Sequence, residues 1–191
     1  WQQLAEALPH SVEVSSPRKA TRVIESISSE LSRRDEADDE SAAPIFLLIC
    51  NLGRFRELRP DEDDLGFGGF GDDRPTSPSQ RLATILRNGP ALGIHVLVWC
   101  DTYNNVSRWL SSATLRDMEL RVAFQMSAAD SSNLVDSSAA GRLGNHRALL
   151  YLAEHGTLEK FRPFGVLSPE WIKGIGRSLS NLTAGSSTEP G

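Results

Sequence analysis

Cys50-Asn51 and Cys100-Asp101-Thr102 each close a short apolar run, Ile45-Phe46-Leu47-Leu48-Ile49 in the first case and Ile94-His95-Val96-Leu97-Val98-Trp99 in the second. Runs of this length and composition are those of buried strands. In open α/β sheets, ligands sit at the C-terminal ends of the strands, so these residues are the candidates for a nucleotide or other ligand site. The plain alternative for Cys50 and Asn51 is a buried strand end whose Asn caps the turn. Cys50, Cys100, Asp101 and His95 do not form a metal site, because His95 and Asp101 lie too far apart along one strand to converge. His95, mid-strand among apolar residues, reads as a core histidine.

Other stretches carry less chemistry. Asp61-Glu62-Asp63-Asp64 lacks the alternating ligands and the terminal glutamate of an EF-hand. Gly66-Phe67-Gly68-Gly69-Phe70-Gly71 is not a phosphate cradle, since no strand leads into it and no Lys-Ser/Thr follows. No G-x-x-x-x-G-K-[ST] and no G-x-S-x-G elbow occurs anywhere.

With 191 residues, 39% hydrophobic and 24% charged, the composition is that of a soluble globular domain with some tail. The net charge of −5 argues against a surface that is basic all over, and the arginines near acidic runs (Arg33-Arg34, then Arg54, Arg56 and Arg59) read as solvated. The longest apolar runs are about eight residues, against the ~20 that a membrane-spanning helix needs. The first residue is Trp1 rather than Met, which predicts a piece of a longer polypeptide. Cys50 and Cys100, both ending apolar runs, are expected to be buried, reduced thiols.

The elements that must position these groups follow from the apolar spacing. Ser16-Pro17 opens a helix whose inner face is Ala20, Val23, Ile24, Ile27 and Leu31, fading near Arg34 where basic side chains suit the dipole. An acidic linker (35–43) leads to a strand at 45–51, and a long mobile loop fills 57–79. A helix at 79–88, stopped by Gly89-Pro90, precedes the strand at 94–100. Further strands are predicted at 120–126, 146–152 and 158–164, with short helices at 129–136 and 138–142. Asp130 and Ser131 read as helix caps and Asp136 as a cap or turn residue. A last helix runs from Ser168-Pro169-Glu170 to Leu182, and 183–191 reads as a disordered tail. Helices alternating with apolar strands predict a largely parallel sheet.

The order of segments resembles a known family. Gly93-Ile94-His95-Val96-Leu97-Val98 is similar to a strand of FtsK/SpoIIIE/HerA-type DNA translocases. The block Leu120-Arg121-Val122-Ala123-Phe124-Gln125-Met126-Ser127-Ala128-Ala129-Asp130-Ser131, continuing through Leu134-Val135-Asp136 to Leu143-Gly144 and Ala148-Leu149-Leu150-Tyr151, is similar to the same family's later strands. The resemblance covers about residues 17–165, and type VII secretion ATPases share its pattern. It implies an α/β fold of three layers, a RecA-like P-loop NTPase type with a mostly parallel sheet flanked by helices. The fold is incomplete because the P-loop strand is not in the chain. Residues 1–167 would form this partial motor domain, with 168–182 as an appended helix.

The resemblance also implies the site. Cys50 and Asn51 take the place of the Walker B acids and cannot supply an anionic ligand or a general base. Asp101 takes the place of the sensor glutamine beside Thr102, and is the candidate substitute metal ligand. Arg121 is the candidate inter-subunit arginine, with Arg142 and Arg147 behind it. The chain alone is expected to hydrolyse no ATP; ATP and Mg²⁺ belong to a full-length parent. The implied partners are DNA, through a parent ring, and other copies of the motor domain. The implied location is cytoplasmic, with no membrane contact by this segment, whatever anchor the parent carries. The alternative is a degenerate ATPase-fold module acting as a protein-interaction scaffold. The gap left by the missing strand predicts either direct pairing of the 94–100 and 120–126 strands or dimerisation, and an open slot would count against this reading.

Overall fold

A computed structural model describes residues 1–38, 41–60 and 76–185. The acidic tetrad and the glycine run of the expected long loop lie outside the described residues, as does the tail from 186 on. The chain forms two compact units, one made of Trp1–Ser16 with Phe164–Gly191 and the other of Pro17–Pro163. Among the described residues no helix is long and apolar enough to cross a membrane.

In the first unit, α1 (Gln2–Ala7) packs on the C-terminal helix α7 (Pro169–Gly185), which runs past the expected end at Leu182. The approach is close at one point. A Cβ on the buried Gly176 would overlap the Ala7 carbonyl oxygen, so glycine is what lets the two helices meet.

The larger unit starts with a 3₁₀ turn (Pro17–Lys19) and then α2 (Ala20–Ala37). Thus Ser16-Pro17 opens the turn, and Lys19 rather than Ser16 is the N-cap of the α-helix. The helix continues past Arg34 to a left-handed Asp38 (φ 51°). It does so because Arg34 is not a solvated end charge: its side chain is 3% exposed. Its Nη1 donates to the Leu92 carbonyl (2.7 Å), its Nη2 to the Ala43 carbonyl (2.9 Å) and its Nε to Glu30 (2.8 Å). One guanidinium therefore ties α2 to the chain just before each of the two strands that follow.

Those strands are β1 (Ile45–Cys50) and β2 (Ile94–Trp99), paired in parallel from Ile45 opposite Ile94 to Cys50 opposite Trp99. Their crossover carries α3 (Pro78–Asn88), which opens on a capping box between Ser77 and Gln80. Ile45, Leu47 and Ile49 of β1 and Ile94, Val96 and Val98 of β2 pack on Ile24 and Leu31 of α2 and Leu82 and Ile85 of α3, forming the main core. Two short helices missed by apolar spacing, α4 (Tyr103–Trp109) and α5 (Ser112–Arg116), follow β2. They add Trp109, whose Nε1 donates to the Phe55 carbonyl (2.7 Å).

A second sheet holds β3 (Leu120–Ala123), β4 (Ala148–Leu152) and β5 (Thr157–Phe161) in that order, antiparallel throughout. It packs one face on α6 (Ala128–Val135) and a 3₁₀ turn (Ser138–Arg142), around Ala123, Val135, Ala140, Leu149 and Tyr151.

The expected mostly parallel sheet is therefore corrected to a two-stranded parallel sheet and a three-stranded antiparallel one. The physical reason is connection length. The tight turn between β4 and β5, with Gly156 at φ 59°, can only return the chain antiparallel, because a parallel partner needs a crossover of a dozen residues or more. Alternating apolar segments were legible, but strand direction was carried by that turn. Direct pairing of β2 with β3 does not occur either, and the outer edge of β2 is left unpaired among the described residues.

Candidate functional site

The parallel register of β1 and β2 brings their C-terminal ends together, so Cys50, Asn51, Cys100, Asp101 and Thr102 share one edge of the sheet. Strand alternation then separates the two thiols. Cys50 belongs to the face of Phe46 and Leu48, whereas Cys100 packs with Val96 and Val98 against the main core. They cannot form a disulfide with each other, and neither is as buried as its apolar run predicts; both are half-buried. Burial pushes the Cys100 thiol up, which keeps it protonated and unreactive at neutral pH.

Asp101 and Thr102 build the start of α4. The Thr102 hydroxyl accepts from the Asn105 amide N–H (3.2 Å), and the Asn105 side-chain amide donates to Asp101 Oδ1 (2.8 Å). That second bond is the main reason the exposed Asp101 carboxyl sits below its ordinary range. The Cys100 thiol also points at Asp101 Oδ1, at 3.8 Å. Asn105 is the residue that sequence reasoning missed here. Thr102 is a recognisable N-cap residue type, but nothing in the spacing marks the side-chain bond from Asn105 to Asp101.

Asn51 leaves β1 in the left-handed region (φ 64°) and occupies the N-cap position of the 3₁₀ turn Leu52–Arg54. Its side chain makes no cap hydrogen bond, and its Oδ1 is buried with no hydrogen-bond partner among the described residues. A buried carbonyl oxygen without a donor costs free energy, so this atom is the one polar group of the cluster that local structure does not use. The turn packs against α4, where a Cβ on Gly53 would come within 2.8 Å of the Asn105 side-chain nitrogen Nδ2.

The cluster does not fit a magnesium nucleotide. Asp101 is its only anion and is held by Asn105, while Cys50 and Asn51 offer a neutral thiol and a neutral amide. Among the described residues no group of three His, Cys, Asp or Glu is placed to hold a metal ion.

The remaining candidates are scattered. Arg121 faces the core of the second sheet, donating through Nε to the Met118 carbonyl (3.0 Å) and through Nη1 to the Leu134 carbonyl (3.2 Å), with its guanidinium 5.5 Å from the centre of the Tyr151 ring. Arg142 ends the 3₁₀ turn, and Arg147 donates to the His146 carbonyl (3.3 Å). His95 is not a core residue: it stacks on Phe46, ring centres 5.2 Å apart, on the face away from the helices. The cap of α6 is Ser127, not Asp130 or Ser131. The fully buried Ser131 hydroxyl instead donates to the Ser137 carbonyl and accepts from the Ala140 N–H (3.1 Å), locking α6 to the following turn. Asp136, in a left-handed turn, accepts from the Tyr151 hydroxyl (2.7 Å). The polar residues of this motif are thus occupied in holding the small sheet together. No family model, curated protein or solved structure matches this chain.

Proposed function

We propose that the chain is the part of a RecA-like motor domain of the FtsK/SpoIIIE type that runs onward from the Walker B strand. It is degenerate in its ATP chemistry and serves as a regulatory or structural member of a ring. The observation that carries this reading is the parallel β1–β2 pair, joined through α3, with Asn51 and Asp101 at neighbouring strand ends. In such folds the Walker B and sensor strands are neighbours, as β1 and β2 are, whereas the edge of β2 that stays open among the described residues counts against the reading. ATP and Mg²⁺ belong on this reading to the longer parent, because the donors at the strand ends are neutral apart from Asp101. An inter-subunit role for Arg121 would cost it two carbonyl contacts and a ring contact within the chain. DNA is the substrate class this family handles, and phosphate contacts would make binding fall steeply with salt.

Calorimetry with Mg-ATP tests the reading. The 191-residue chain should give no binding heat. In the natural polypeptide that contains it, Cys50→Asp together with Asn51→Glu should create Mg²⁺-dependent nucleotide affinity. Unchanged affinity in that double variant overturns the assignment of Cys50 and Asn51. The second reading, a protein-interaction scaffold of the kind seen in secretion-type ATPases, is favoured by the large apolar side chains exposed on both sheets. It predicts binding to protein that changes little with added salt.

A further inference from the structure

Among the described residues, both sheets of the larger unit are covered by helices on one side only. On β1 and β2 the face opposite α2 and α3 presents Phe46, Leu48, Leu97 and Trp99 to solvent, around the stacked His95. On the second sheet the face opposite α6 presents Leu120, Val122, Phe124 and Phe161. The register places Leu150 and Leu152 opposite Val122 and Leu120 on that face, with Glu159 beside Leu150. An antiparallel sheet with a solvated face ordinarily alternates apolar and polar residues, and a parallel one is covered on both sides. Neither description fits these two faces as they stand.

We propose that two copies of this chain associate face to face through the uncovered apolar face of β1 and β2, at Phe46, Leu48, Leu97 and Trp99. Two observations favour a second copy. First, the four exposed side chains of β1 and β2 have relative exposures from 47% to 61%. For side chains of this size that is on the order of 450 Å² of apolar surface, about the non-polar share of the ~800 Å² that each partner contributes to an interface of standard size. Second, β1 and β2 carry no Lys, Arg, Asp or Glu. A two-fold contact sets each patch against itself, so an uncharged patch brings no like charges together even though each copy has a net charge of −5. The same lack of cations gives the phosphates of a nucleic acid nothing to grip on β1 and β2. This inference stands on exposure and charge, and it holds or fails independently of the motor reading.

Sedimentation velocity on the full 191-residue chain tests it. The mass should rise with concentration from 20.9 kDa to twice that value. Leu97 is half exposed in the single chain, so Leu97→Glu leaves the fold intact by far-UV circular dichroism and raises the dimer dissociation constant at least ~10-fold, the effect of ~1.4 kcal/mol. A second readout needs no surface charge: in a Cys100→Ser background, modification of Cys50 by a thiol reagent should slow as protein concentration rises, because Cys50 shares the buried face. A chain that stays monomeric to ~200 μM, weaker than typical specific association, overturns the proposal. So does a dimer indifferent to both Leu97→Glu and Phe46→Glu, or a monomer that covers the face with a different protein.

Discussion

Replacing Arg34 by Met removes the guanidinium that joins α2 to the entries of β1 and β2 while keeping most of the buried stem. Three charge-assisted hydrogen bonds are lost, to Leu92, Ala43 and Glu30, at 2.7 to 2.9 Å. Glu30 is not stranded, because the Arg33 guanidinium also holds it through two bonds of 2.8 and 2.9 Å. The penalty therefore comes chiefly from two carbonyl oxygens left without their donor. Breaking a buried ionic network costs roughly 3–5 kcal/mol, and the surviving Glu30 partner places this case at about 3. Hydrogen exchange gives a local readout. The amide of Ile45 donates to the Gly93 carbonyl (2.9 Å) and that of Ile94 to the Gly89 carbonyl (2.8 Å), immediately beside the two anchored carbonyls. Both amides should exchange about 100-fold faster in Arg34→Met under native conditions, with a matching loss in urea unfolding. Arg34→Lys keeps the charge but lacks the fork, and should fall between the two. Arg34→Met within ~1 kcal/mol of the parent protein, with unchanged exchange at Ile45 and Ile94, would refute the clamp.

Two further outcomes follow from the same core. A Cβ on Gly89 would overlap the Ile85 carbonyl oxygen and lie 2.6 Å from the Ile94 carbonyl oxygen, both backbone atoms. Gly89→Ala should thus cost about 2–3 kcal/mol in urea unfolding despite alanine's better helix propensity, and a gain in stability would show the helix–strand junction to be looser than described. The Glu30 carboxyl is held down to about 2, from an ordinary 4.5, first by the Arg33 hydrogen bonds and then by those of Arg34. Because the folded-state value is depressed, its stabilisation is complete above about pH 4.5 and disappears as pH falls through about 2. The stability difference between the parent protein and Glu30→Gln should shrink over that window, and a difference constant from pH 5 to pH 2 would rule out a contribution from Glu30.

Local signals in the sequence located β1, β2, α3 and α6 to within a residue or two, because each combines a strong apolar period with a turn residue at its end. The strands of the second sheet were placed but overextended, since apolar composition continues past the last ladder hydrogen bond at Phe124 and Met126. What stayed illegible was non-local. Arg34 reads as an end-of-helix charge until the carbonyls of residues 43 and 92 are seen to converge on it. At the strand ends, Cys50, Asn51, Asp101 and Thr102 were legible as strand-end residues from the apolar runs, and as neighbours only through the family resemblance. That Asp101 would be occupied by Asn105, and Asn51 Oδ1 left without a donor, depends on the turn geometry after each strand.

Binary patterning explains why the expected sheet and the observed one differ. Every residue of β1, and all of β2 except His95, is apolar, which is the pattern of strands buried on both faces. The family resemblance implied a sheet with helices on both sides, yet the described helices cover only the face of Ile49 and Ile94. A hydrophobic pattern reports the environment a strand meets in its final assembly, whichever chain provides it. The mismatch between a doubly apolar strand pair and a singly covered sheet is therefore itself information. It places the unfinished side at Phe46, Leu48, Leu97 and Trp99, and makes whatever covers those four residues a part of the fold.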